Sequence, residues 1–282
     1  MTARFRAVSF SGGGHMLVYQ LGVLASLRER GMTASINCYA GSSGGAIVAA
    51  AAACIPDSDF NQFTEFAVAC DSRRGLEELL PVDAHQVFAY PSPDPDPDPD
   101  TTTATHLKAA EGRLGVSVTE SSTGRNVVIR SFPTRQALLD AVWASCHIPK
   151  TFHPFDIFSL SKPARPVTFD SAEGLVLTGH PGSTYIDGGL SANCPELPDF
   201  ETSTLRVSVL AGPAAPDLIA QRDHERLGWV RLPGSIYMAG LKVHLGFANV
   251  RAAMAAMGAA PQAMRRYHEL GRRDCDNFFS RG

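Results

Sequence analysis

The stretch Tyr39-Ala40-Gly41-Ser42-Ser43-Gly44-Gly45-Ala46-Ile47-Val48-Ala49-Ala50 decides how the rest of the chain is read. Before it, Ile36 to Ala40 is a short, mostly apolar run that reads as a buried strand, and Ala46 to Ala53 is an alanine-rich run that favours helix. Between them, Gly41-Ser42-Ser43-Gly44-Gly45 spells G-x-S-x-G in the strand–turn–helix setting that a nucleophile elbow requires. A serine at the apex of so sharp a turn needs neighbours without a Cβ, so that strand and helix can approach and the backbone can take strained dihedrals. Ser43 is thus the candidate nucleophile. The helix opening at Gly44 offers unpaired N–H donors and a positive dipole end to a developing oxyanion. The same five residues also fit a plain small-residue turn.

Working outward, Phe5 to Phe10 reads as a first strand, Ser11-Gly12-Gly13-Gly14 as a glycine loop, and Met16 to Arg30 as a helix stopped by Gly31. A glycine loop at a helix N-terminus is an anion site by construction. A dinucleotide fold would need a third glycine where Leu17 stands, and a carboxylate ending the second strand, where the chain has Cys38-Tyr39-Ala40. A Walker loop would need Gly-Lys-Ser/Thr, which does not follow. The remaining reading is an oxyanion hole facing Ser43, with the two loops at the C-terminal ends of adjacent parallel strands.

The chain has 282 residues, 44% hydrophobic and 19% charged, with a net charge of −3, which is ordinary globular composition and gives no reason to expect nucleic-acid binding. Six cysteines lie far apart without a C-x-x-C pair, so neither a zinc site nor a disulfide framework is indicated, and they read as small buried residues of a reducing compartment. No signal-peptide stretch opens the sequence, and the longest apolar run, Ala46 to Ile55, is too short to span a bilayer. A soluble or peripherally bound chain is expected.

Asp57 to Arg74 predicts further helix, and the alternating Asp-Pro tract, within an insertion at about 91–105, predicts extended or disordered chain. Leu114 to Thr119 and Asn126 to Ser131 predict two strands, and Thr134 is placed to cap a helix running to Ser145. Thr184 to Ile186 is a short apolar run leading into Asp187-Gly188-Gly189, a carboxylate at a strand end. Leu205 to Leu210 predicts another strand, and Ser235 to Arg273 predicts mostly helix, interrupted around Gly258 to Pro261.

Three ordered stretches, Ser11-Gly12-Gly13-Gly14, Gly41-Ser42-Ser43-Gly44-Gly45 and Tyr185-Ile186-Asp187-Gly188-Gly189-Leu190, together resemble the patatin-like phospholipase family, as do Asn193 and Pro195 shortly after the aspartate. The stretches from Gly112 to Val128 and from Ala144 to Pro149 resemble the branch of adipose triglyceride lipase and adiponutrin. The resemblance implies a single three-layer α/β/α sandwich over residues 1–282, with a mostly parallel sheet. It implies Ser43 as nucleophile, Asp187 as base with no histidine, and Gly12, Gly13 and Gly14 as the oxyanion loop. It implies a lipid acyl hydrolase of acylglycerols or phospholipids, without metal or organic cofactor, cytoplasmic and in peripheral contact with a membrane or lipid droplet. The chain departs from the family at His15-Met16-Leu17, where members often carry a glycine and many an Arg or Lys.

Two rivals stand beside this reading. A Ser-His-Asp triad of the α/β-hydrolase type is permitted by chain order, with His224, His244 or His268 after Asp187. Only one strand precedes the strand leading to Ser43, whereas that fold builds several before its elbow. A lipid-binding pseudoenzyme that keeps the fold without turnover is the other. His147 and His153, flanking a Pro-containing loop, are further candidates to line the pocket.

Overall fold

The computed structural model describes residues 4–69, 108, 110–148, 167–168, 184–222 and 231–280. The Asp-Pro insertion, His153 and His224 lie outside them. The first strand, β1 (Ala7–Phe10), passes through the glycine loop and one 3-10 turn into α1 (Leu17–Glu29). Then β2 (Cys38–Ser42) runs into α2 (Gly44–Cys54) with Ser43 alone between them, and α3 (Asp57–Ala69) follows. β3 (Leu114–Glu120) and β4 (Asn126–Ile129) form a hairpin, and α4 (Arg135–Ser145) starts from Thr134, whose hydroxyl accepts the Ala137 N–H. β5 (Val167–Thr168), β6 (Thr184–Asp187), β7 (Thr204–Ser208) and β8 (Leu218–Ala220) complete the main sheet.

The fold is an α/β/α sandwich around a central mixed, largely parallel sheet. Its strand order is β5-β6-β3-β2-β1-β7-β8, with β4 paired to β3. β1 pairs in parallel with both β2 and β7, and β2 with β3, as expected of strands joined by helical crossovers. The two faces are read by alternation along the strands. Val8, Phe10, Tyr39, Leu114, Val116, Val118, Leu205 and Val207 join the main core, under the helices. Ala7, Cys38 and Ala40 point the other way, onto Leu197 and Phe200. A 3-10 segment, Pro198–Ser203, begins beside that contact.

α1 is buried all round from Leu17 to Leu27, which is why its apolar residues mark no single face. Its cover is α6 (Pro261–Ser280), which approaches closely enough that a Cβ on Gly22 would lie 2.0 Å from the His268 carbonyl oxygen. Tyr19 donates to Asp274 and Ser26 to Asp276 across the same crossing.

The sequence-based expectation of helix across Ser235 to Gly246 is corrected. β9 (Arg231–Met238) and β10 (Leu241–Gly246) form an antiparallel hairpin, followed by α5 (Phe247–Met257). Met238 pairs with Leu241, so Ala239-Gly240 is a two-residue turn with both φ values positive, at 44° and 83°. That is the pattern of a type I′ turn, with alanine standing where asparagine or glycine would have announced it. Among the described residues, no helix is long and apolar enough to cross a membrane.

Candidate active site

Ser43 sits between β2 and α2 at φ 52° and ψ −130°, a backbone conformation costly for any residue with a Cβ. The turn closes because Gly41 and Gly45 lie against each other: a Cβ on Gly41 would be 2.0 Å from the Gly45 carbonyl oxygen. Gly44 touches the glycine loop, where a Cβ would meet the Gly14 carbonyl at 2.4 Å. The side chain of Ser42 points away and donates to the Asn193 carbonyl at 2.6 Å.

Sheet register brings Asp187 to this turn. On one edge of β3, β4 pairs with Val116 to Thr119. The other edge is shared: β2 occupies it up to Ser42 opposite Ser117, and β6 occupies it from Asp187 opposite Val118. β2 runs parallel and β6 antiparallel to β3, so their C-terminal ends meet head to head. Ser43 and Asp187 are the residues at which they meet. Gly188 allows this closeness, since a Cβ there would lie 2.1 Å from the Ser117 carbonyl oxygen. The Asp187 main chain is held by its N–H on the His147 carbonyl at 2.8 Å, and by Thr119, whose hydroxyl donates to the Asp187 carbonyl at 2.7 Å.

The Asp187 carboxyl is buried, at 3% exposure. Its Oδ1 accepts the Gly189 N–H at 2.7 Å, and its Oδ2 is buried without a partner of ordinary hydrogen-bond geometry. Burial pushes its pKa up to about 6, opposed by the Ser43 hydroxyl and the Gly189 N–H. Burial also keeps the neighbouring Cys146 thiol protonated, with Asp187 adding to the effect.

The glycine loop faces the same turn, with Gly12 against the Ser43 Cβ. Within the expected oxyanion loop of Gly12, Gly13 and Gly14, the Gly12 N–H donates to the Asn193 carbonyl at 2.9 Å. Among the described residues, the N–H groups of Gly13, Gly14 and Gly44 donate to no protein acceptor. The loop is fixed from behind by Gln20, whose amide donates to the Ser11 carbonyl at 2.7 Å, while the Ser11 hydroxyl accepts the Val209 N–H. His15 turns its ring away to the Ala256 carbonyl, 3.1 Å from Nδ1.

His244 contacts Ser235 across the β9–β10 hairpin, and His268 belongs to the α1–α6 crossing. His147 offers Asp187 its backbone, and burial lowers its pKa. Ser145 was not singled out by sequence as a site residue. Its hydroxyl accepts the Ser43 N–H at 2.8 Å and donates to the Ser117 carbonyl at 2.6 Å, tying Ser43, α4 and β3 together. The Ala144 to Pro149 segment placed it near the site, but nothing in the sequence gave that hydroxyl a partner.

Residues 8–199 match the patatin-like phospholipase family. Omega-hydroxyceramide transacylase of Homo sapiens is 28% identical over 73% of this chain and 34% of its own length. Patatin-like phospholipase domain-containing protein 4 of Homo sapiens is 26% identical over 70% of each. Patatin-like phospholipase domain-containing protein 2 of Mus musculus is 27% identical over 97% of this chain and 50% of that one. The chain thus spans about a third of the first of these relatives and half of the third. With the family match covering most of its length, the chain belongs to the patatin-like phospholipase family, which includes lipid hydrolases.

Proposed function

We propose that the chain is a cytoplasmic enzyme that hydrolyses acyl esters of lipids, acylglycerols or phospholipids, through a Ser43–Asp187 dyad, in peripheral contact with a membrane or lipid-droplet surface. The observation that carries this reading is the head-to-head meeting of β2 and β6 on β3, which sets a strained serine against a buried carboxyl.

In the reaction, Asp187 in its ionised form accepts the Ser43 hydroxyl proton as Oγ forms a bond to the ester carbonyl carbon. The N–H groups of Gly13, Gly14 and Gly44, with the N-terminal end of α2, receive the developing oxyanion. The carbon–oxygen bond to the alcohol then breaks, and Asp187 returns the proton to the departing oxygen. Water repeats the sequence on the acyl-enzyme and releases a fatty acid. A base near 6 is better matched to neutral pH than an ordinary aspartate, so burial of Asp187 serves this step. An alcohol in place of water would make the same acyl-enzyme a transfer intermediate; one similar protein carries the name omega-hydroxyceramide transacylase.

The test is turnover of triacylglycerol, phosphatidylcholine and monoacylglycerol, with and without an added acylglycerol acceptor, by the wild-type chain and by Ser43→Ala. The variant should fold with unchanged melting behaviour and lose activity by a factor of about a thousand or more. Retained turnover in Ser43→Ala refutes the mechanism. A wild-type chain that turns over no acyl ester refutes the enzymatic reading and favours a binding protein.

A further inference from the structure

Exposed large hydrophobic side chains gather in the hairpin–helix segment that follows β8. Ile236, Tyr237, Met238 and Leu245 are exposed on the hairpin, Tyr237 by 77%. On α5, Phe247, Val250, Met254 and Met257 recur at helical spacing toward solvent, Met254 being 62% exposed, while Ala248, Ala252 and Ala255 are buried beneath them. An outward apolar stripe on a helix that already buries its other side is unfavourable in water unless something covers it.

The charges of the same segment are of one sign. From Arg231 to His268 the chain carries Arg231, Lys242, Arg251, Arg265 and Arg266 and no Asp or Glu, in a molecule whose net charge is −3. Lys242, Arg251 and Arg266 are exposed, and Arg265 pairs with Glu65 of α3. Arg251 flanks the α5 stripe. It also lines, with Arg266, Arg273 and Glu269, a cavity of about 410 Å³ between α5 and α6.

This segment is joined to the rim of the site. The hairpin turn accepts, at the Ala239 carbonyl, the Asn193 N–H at 2.8 Å, and the Asn193 carbonyl in turn holds Ser42 and Gly12. The last turn of α5 lies on the glycine loop, with the Ala256 carbonyl against Gly14 and His15. Two further exposed hydrophobics, Ile148 and Leu190, follow directly on His147 and Gly189.

We propose that the β9–β10 hairpin and α5 form the surface by which the chain docks on an anionic phospholipid interface. The apolar side chains enter the acyl boundary, and Lys242, Arg251 and Arg266 meet the headgroups. Docking there sets the mouth of the site, between the glycine loop and Gly189, toward the lipid. The proposal rests on the lipid acyl hydrolase reading for its purpose. The binding itself does not depend on catalysis.

The experiment measures co-sedimentation of the full chain, in the Ser43→Ala background, with vesicles of phosphatidylcholine alone and of phosphatidylcholine mixed with phosphatidylglycerol. Binding should favour the anionic vesicles and weaken with salt. The double variant Val250→Asp/Met254→Asp should bind at least about tenfold more weakly, with an unchanged thermal melt. Phe66→Asp, which removes an exposed phenylalanine of α3 outside the segment, should bind like its parent. In the active background, the double variant should lose turnover on vesicles and keep that of a soluble ester. Three results overturn the proposal: no vesicle binding by the parent, equal binding by the double variant, or a dimer in solution that the double variant dissociates, which would make a second copy the occupant. Loss of soluble-ester turnover in the wild type would instead count against the catalytic reading and leave the docking result standing.

Discussion

At the scale of single residues, the burial that suits Asp187 to the proposed reaction is unfavourable to the fold. The native state raises its pKa from 3.8 to about 6. Between those values the native chain holds the proton more tightly than the unfolded chain, so stability falls as pH rises across that window. Above pH 6 the ionised carboxylate is disfavoured by of order 3 kcal/mol. Asp187→Asn should therefore melt higher than wild type at pH 8, by an amount that vanishes toward pH 4, while losing activity about as severely as Ser43→Ala. Wild-type kcat/KM should fall on the acid side of about pH 6 as the carboxylate takes up a proton. Melting curves and rate profiles over pH check both. Ser145 gives a milder expectation: Ser145→Ala leaves the buried Ser43 N–H and Ser117 carbonyl without their shared partner, costing about 1–3 kcal/mol of stability. Its kcat should drop about tenfold with KM little changed, as orientation of the nucleophile loosens. Ser43 was legible as a candidate because glycines and flanking strand and helix signals mark it, and Asp187 only because its Asp-Gly-Gly stretch stands beside the other two motifs of the family resemblance. Ser145 and the Asn193 carbonyl were not, since a hydroxyl or a backbone oxygen acquires its role from long-range neighbours.

At the scale of elements, the placement of β6 is the sensitive joint. Gly188→Ala puts a methyl group 2.1 Å from the Ser117 carbonyl, a backbone atom that cannot step aside. β6 must shift on β3, and a displacement of about 1 Å between base and nucleophile costs roughly a hundredfold in rate. Soluble-ester kinetics on the folded variant, with its melt recorded, test this. A variant with normal turnover would mean that the Asp187 segment is adjustable. Most elements were readable from their local patterns: β1, β2, α2 and the Thr134-capped α4 stand where periodicity and capping put them. The exceptions have physical causes. The β9–β10 hairpin turns on Ala239-Gly240, and its alternation from Leu241 to Leu245 is short and followed at once by a helix. β8, three residues long, carries no pattern that local propensity resolves.

At the scale of the whole molecule, the family match ends at residue 199, yet α6 is part of the core. Gly22 and Gly271 let α1 and α6 touch backbone to backbone, a Cβ on Gly271 falling 2.0 Å from the Tyr19 carbonyl. Gly271→Leu should separate the helices and cost of order 3 kcal/mol or more, seen as a lower melting temperature and denaturant midpoint. Removing residues 261–282 should abolish cooperative unfolding, because α1 would then expose the face that Met264, Tyr267 and Leu270 cover. A truncated chain with a sharp melt would show that α6 is an accessory. This tertiary role was not legible in advance, since a buried α1 advertises no face to which a partner could be assigned.

The shared edge of β3 has one further consequence. Ser43 and Asp187, the two groups of the proposed dyad, are not aligned to each other but each to the same strand, as two marks on a ruler. A motion that carries β3 as a body moves both marks together and leaves their spacing intact. Only relative displacement along β3 matters, and a slip of a whole residue, about 3.4 Å, would also turn Asp187 to the opposite face of the sheet. Pairing register thus sets the coarse alignment of the pair, and what remains to disturb it are shifts smaller than one residue, such as the one expected of Gly188→Ala.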